Sequence, residues 1–115
     1  SGMAAAAICG VRGGSKEQMG YACAMALKNL MGLVCDPVAG LVEVPCVKRN
    51  VGGAVNALAA ADMALAGIAS HIPVDQVIDA MGEVGMKMDV SLRETSMGGV
   101  ATSPKGLEIA ERLGM

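Results

Sequence analysis

NVGGAVNALAAADMALAG, residues Asn50 to Gly67, is the run that decides the fold. After Gly52 and Gly53 it is dominated by alanine, with no helix breaker until Gly67, so it predicts a helix from near Val47 to Ala66. From Asn50 to Ala61 no face carries a charge. A helix apolar all round is expected to be buried all round, which a 115-residue chain can scarcely achieve unaided. Self-association or burial against a partner is therefore expected.

The flanking segments carry their own helix signals. Met3 to about Val11 is alanine-rich and stops at Arg12-Gly13-Gly14. Ser15 stands three residues before Gln18, the spacing of a capping box, so a second helix starts near Lys16 and fades by Gly32. Along it Met19, Cys23, Ala26 and Leu30 form one face at helical period. Downstream, Pro73 and Asp75 open a helix striped by Val77, Met81, Val84 and Met88, where methionine reads as flexible core filler. The stretch from Ser91 to Gly99 has no clean period and reads as a short helix plus a turn. Ser103-Pro104 then gives an N-cap followed by proline at the first helical position, and Leu107, Ala110 and Leu113 stripe a terminal helix. Nothing reads as a strand, and no repeat or linker is visible. The expected class is all-α: a single domain, residues 1–115, forming a compact bundle of about five helices.

Composition supports burial and excludes some functions. The chain is 53% apolar and 17% charged, with 16 glycines and one aromatic residue, Tyr21, so its interior must be built from small side chains that let helices approach closely. A net charge of −2 without a basic cluster excludes phosphate neutralisation along a nucleic acid. Uncharged stretches reach about a dozen residues, short of the roughly 20 that cross a bilayer, so no membrane partner is expected. The start, SGMAAAA, has no basic leader and reads as a helix entered partway. Four cysteines without an export signal suit a reducing compartment, the cytoplasm by default.

Leu33 to Pro45 (LVCDPVAGLVEVP) breaks the helical pattern, because Pro37, Gly40 and Pro45 cannot share one helix. It reads as an ordered apolar loop. Cys35 precedes Asp36-Pro37, and Cys46 follows Pro45, so two thiols on one rigid bend can converge on a shared centre. Cys9 and Cys23 lie in helical stretches, where thiols behave as small buried hydrophobes. The residues alone leave three readings of Cys35 and Cys46 open: buried thiols, metal or cluster ligands, and a disulfide or reactive thiol. Zinc-ribbon spacing is absent, and His71 is the sole histidine.

GLVCDPVAGLVEVPCVKRN, from Gly32 to Asn50, resembles the signature of the α domain of bacterial iron–sulfur L-serine dehydratases. RETSMGGVATSP, from Arg93 to Pro104, resembles the same family's C-terminal segment. The resemblance implies an all-helical domain whose cysteines hold a [4Fe–4S] cluster, with Cys35 and Cys46 on two of three ligand positions. The family's third ligand lies in a Gly-Cys segment before the first alanine-rich helix, upstream of Ser1, and neither Cys9 nor Cys23 matches it. With two thiolates, this stretch alone is expected to hold no stable cluster and to be inactive. Family members with both halves on one polypeptide end in a cysteine, which Leu107 to Met115 lacks. This ending resembles the type with separate α and β chains, so the implied partners are a β chain and L-serine, in an α/β assembly or homo-oligomer.

By the same resemblance, L-serine loses water and then ammonia to give pyruvate, a gluconeogenic precursor, without pyridoxal phosphate. One open iron would act as Lewis acid on the serine hydroxyl, with Cys35 and Cys46 as holders. No base is identifiable, so it is expected upstream or on the partner. Arg49 and Asn50 are candidate donors to the substrate carboxylate, or else polar groups of a first helical turn facing solvent or the partner. Asp36 is a candidate near the open iron or the substrate ammonium, or a turn residue. Thr95 and Ser96 are candidate site-lining hydroxyls, or turn residues. His71 reads as a solvent-facing connector, and Asp62 and Glu83 as single exposed or paired charges rather than a carboxylate pair. Two rival readings are a related lyase that eliminates hydrogen sulfide from cysteine, and a noncatalytic helical assembly domain with buried thiols.

Overall fold

A computed structural model describes residues 1–114 and contains five α-helices: α1 (Gly2–Val11), α2 (Lys16–Leu30), α3 (Cys46–Leu65), α4 (Val74–Lys87) and α5 (Pro104–Arg112). Short 3-10 turns occupy Val38–Gly40, Val90–Leu92 and Gly99–Thr102. Among the described residues there is no strand, only an isolated parallel bridge between Cys35 and Arg93. The fold is all-α, with each helix within a residue or two of its expected span.

Local chemistry sets the boundaries. Ser15 accepts a hydrogen bond from the Gln18 N–H at 3.1 Å, while the Gln18 side-chain oxygen accepts from the Ser15 N–H at 2.9 Å, so the expected capping box is formed. Ser103 caps α5 by accepting from the Gly106 N–H at 3.2 Å, with Pro104 at the first helical position.

The chain divides into two compact units, Ser1–Met31 with Gly52–Met86, and Gly32–Val51 with Lys87–Met115. The first has a core of Ala5, Cys9, Ala22, Met25, Ala26, Ala57, Ala60, Ala61 and Ala64, flanked by partly buried Ile8, Met19, Tyr21, Met63 and Leu65. Alanine at these positions lets α1, α2 and α3 approach closely without a large residue to fill the gap. The buried face of α2 centres on Ala22, Met25 and Ala26, rotated from the expected Met19-Cys23-Ala26-Leu30 face. The reason is size: the alanines take the tightest contact, and the bulkier Met19, Cys23 and Leu30 flank it. Cys9 is fully buried, as expected for a packing thiol, and Cys23 is half-buried.

Polar ties close this unit. The Asn56 side-chain amide donates to the Ala26 carbonyl and to the Ser1 hydroxyl, both at 3.0 Å, while its oxygen accepts from Asn29 at 2.8 Å. One residue thus links three segments. Exposed Asp62 pairs with Arg12. His71 sits on the connector before α4, exposed and at φ 65°. On α4 only Val77 is buried, with Met81, Val84 and Met88 half-buried below it.

On two helices apolar side chains stay open to solvent. The α3 helix buries one face through Ala57, Ala60, Ala61 and Ala64, but Val51 (62% exposed), Val55 (60%) and Leu58 (46%) face outward, because the described chain supplies nothing to cover that side. On α5 the expected stripe is largely open, with Leu107 and Leu113 more than half exposed and Gly106 as the buried residue. A Cβ on Gly106 would overlap the Val100 carbonyl, so this helix packs through its backbone rather than through leucine.

Candidate functional site

The second unit brings the cysteine loop and the loop from Val90 to Thr102 together. The Cys35 N–H donates to the Leu92 carbonyl at 2.9 Å, and the Glu94 N–H donates to the Cys35 carbonyl at 2.8 Å. Within the cysteine loop, the Val38 N–H donates to the Val44 carbonyl at 2.9 Å, closing the bend, and the Val44–Pro45 peptide is cis. Cys46 then opens α3, so both thiols leave opposite ends of one closed loop.

Asp36 holds the two loops in register. It is 2% exposed, and its Oδ2 accepts from the Val100 N–H at 2.6 Å while its Oδ1 accepts from Arg49 Nη1 at 2.6 Å. The same Arg49 nitrogen donates to the Val34 carbonyl at 2.9 Å. Burial pushes the Asp36 carboxyl up, but the Val100 N–H and the adjacent Arg49 guanidinium outweigh it, and the net shift is downward. The carboxylate is therefore kept charged by partners from both sides. Gly99, at φ 63°, passes so close that a Cβ there would meet the Asp36 carboxylate. The Ser96 hydroxyl adds a donor to the Pro37 carbonyl at 2.6 Å.

Cys35 is exposed, Cys46 is half-buried, and both are free thiols. Desolvation pushes the Cys35 thiol up, and the negative charges of Glu94, Cys46 and Asp36 add to it, with Arg49 opposing. Cys46 and Glu94 are thus electrostatic neighbours of Cys35. A cation bound between two thiols deprotonates them and offsets the repulsion of the thiolates so formed, so two thiols on one loop are chemically suited to ligating a metal. Among the described residues no group of three or more His, Cys, Asp or Glu side chains converges to hold a metal ion.

The other sequence candidates fall as follows. Arg49 is committed to Asp36 and Val34 through one nitrogen and is half-buried. The exposed Asn50 side chain donates back to the Cys46 carbonyl at 2.9 Å, one helical turn earlier. The Thr95 hydroxyl donates to the Val90 carbonyl at 2.8 Å. Thr95 and Ser96, with Glu94, line an open cleft of about 430 Å³ whose other walls include Ala39, Gly40, Ala101, Leu107 and Ala110. Sequence reasoning missed Glu94 and Gly99. The Gly98-Gly99 pair was a signal for the second, because adjacent glycines mark a close backbone approach.

The chain matches the family model for the serine dehydratase alpha chain over residues 1–101. It is 62% identical to the probable L-serine dehydratase alpha chain of Bacillus subtilis over 98% of its own length and 38% of that protein's. It is 59% identical to the probable L-serine dehydratase alpha chain of Latilactobacillus sakei, over 95% of this chain and 52% of that one. With the L-serine dehydratase alpha chain of Peptoniphilus asaccharolyticus the identity is 51%, over 95% and 37%. The chain belongs to the serine dehydratase alpha chain family. It spans about half or less of the length of these relatives.

Proposed function

We propose that this chain forms part of an iron–sulfur L-serine dehydratase, which removes water and then ammonia from L-serine to leave pyruvate. The observation that carries the reading is the pair of free thiols at the two ends of one closed loop, in a chain of this family. Cys35 and Cys46 would be two of the ligands of a [4Fe–4S] cluster, with a third thiolate supplied from outside the described residues. When bound, the cluster would supply a Lewis acid that makes the substrate hydroxyl a better leaving group, with no need for pyridoxal phosphate.

The chain's own residues hold and shape. Asp36, charged and buried, fixes the 94–100 loop through Val100 and, through Arg49, ties the segment bearing Cys35 to the helix that Cys46 opens. Because Asp36 has both oxygens engaged, its part in this reading is to position rather than to touch substrate. The Cα base belongs to another part of the assembled enzyme. Relatives named as alpha chains imply a companion chain, and a β chain is the proposed partner. Among the described residues no helix is long and apolar enough to cross a membrane. Four unpaired thiols fit the cytoplasm as the working compartment.

The test is product analysis of the assembled α/β enzyme prepared without oxygen. Release of pyruvate and ammonia from L-serine, well above hydrogen sulfide release from L-cysteine, supports the reading. Preference for cysteine assigns a desulfidase instead, and no turnover of either points to a noncatalytic assembly domain.

A further inference from the structure

The cleft beside the cysteine loop is lined by strained backbone. Among the described residues four non-glycines have positive φ, and three of them line the cleft: Ala39 at 56°, Glu94 at 65° and Ser96 at 56°. Each such conformation costs energy in an L-residue, and it is retained where the surroundings dictate which way a side chain is aimed. Here the dictating contacts are the Glu94 N–H to the Cys35 carbonyl and the Ser96 hydroxyl to the Pro37 carbonyl, so the strained segment is anchored on the thiol loop itself.

The polar side chains that line this cleft present acceptors. The Thr95 and Ser96 hydroxyl protons are committed to the carbonyls of Val90 and Pro37, which leaves only oxygen lone pairs for a ligand. The Glu94 carboxylate takes no hydrogen bond or ion pair from the described residues. Among the described residues no lysine, arginine or histidine lines the cleft, and its remaining side chains are apolar, among them Ala101, Leu107 and Ala110. One anion and two hydroxyl acceptors match a group that carries a positive charge and three N–H donors. They repel a carboxylate.

We propose that Glu94, with Thr95 and Ser96, is the subsite that takes the α-ammonium of the amino-acid substrate. This rests on the dehydratase reading and adds to it a specificity residue. It places amine recognition next to Cys35, consistent with the neighbouring negative charge that the thiol feels from Glu94. The substrate carboxylate must then find its donors outside this cleft.

The experiment uses the assembled enzyme and two ligands that cannot lose water, L-alanine with an ammonium and propanoate without one. Calorimetric titration of Glu94→Gln is expected to weaken L-alanine binding by roughly tenfold or more, as loss of a charge-assisted contact does, and to leave propanoate binding unchanged. The same variant raises KM for L-serine by a similar factor while kcat changes little. Thr95→Val, which removes one acceptor and keeps the shape, gives a smaller loss confined to L-alanine. Unchanged L-alanine affinity in Glu94→Gln, or an equal loss for propanoate, overturns the amine assignment while serine turnover stands. Failure of the wild-type enzyme to turn over L-serine overturns the dehydratase reading and the subsite with it.

Discussion

Replacing Gly99 with alanine tests the lock between the two loops of the thiol-bearing unit. Gly99 lies at φ 63°, and a Cβ there would stand 2.7 Å from both Asp36 Cβ and Cγ, where nothing can give except the carboxylate itself. The left-handed conformation costs an L-residue about 1–2 kcal/mol. Displacing Asp36 further weakens the Val100 and Arg49 bonds, and a hydrogen bond to a charged group contributes about 1.5–3 kcal/mol. Gly40 is the control, because it has φ 73° in the same unit and open space around its would-be Cβ. Gly40→Ala therefore pays only the conformational part. Native-state hydrogen exchange at the Cys35 and Val100 amides is the assay, and Gly99→Ala is expected to exchange about 10- to 100-fold faster than Gly40→Ala. Equal exchange in the two variants would refute the claim that close approach to Asp36 constrains this loop.

Two further outcomes follow from other parts of the chain. The Asp89 carboxyl is held below the usual aspartate value by the Ser91 hydroxyl, then by the Ser91 N–H, with Arg93 adding to both. Its folded pKa is depressed, so its contribution to stability is full above the unfolded aspartate value and is lost as pH falls through the folded one. A carbon-13 titration should show a low Asp89 midpoint that moves up in Ser91→Ala, and identical midpoints would remove the assigned cause. In the alanine core, Ala61→Val forces two methyl groups into a fully buried contact and should cost about 1–3 kcal/mol. Ala59→Val on the exposed side of the same helix should cost about 0.5 kcal/mol or less, and equal urea midpoints for the two would contradict the packing described.

What could be read in advance, and what could not, divides by sequence distance. The Ser15–Gln18 box, the Ser103-Pro104 start of α5 and the loop from Leu33 to Pro45 rest on contacts a few residues apart, and they appear where the residues place them. The bond from Val100 to Asp36 spans 64 positions, and Asp-Pro alone suggests only a turn. Asn56 lies in an uncharged helical run and betrays nothing of its role in joining three segments, because that role depends on which backbone oxygens a neighbouring helix turns toward it. Glu94 was invisible for a different reason: a glutamate at positive φ has no sequence signature, and its place in a cleft depends on residues from Ala39 to Ala110 meeting in the fold. On α3, the absence of charge was a sound indicator of apolar surroundings, but the outward Val55 and Leu58 find no cover within the described residues.

Everything functional turns on whether the two loop thiols bind one metal centre. Iron and acid-labile sulfide should be quantified in the oxygen-free α/β enzyme carrying Cys35→Ala or Cys46→Ala, beside Cys9→Ala and Cys23→Ala. The account predicts loss of iron, sulfide and broad visible absorbance in the first two variants and retention in the second two. A full complement of iron in either loop variant would contradict it.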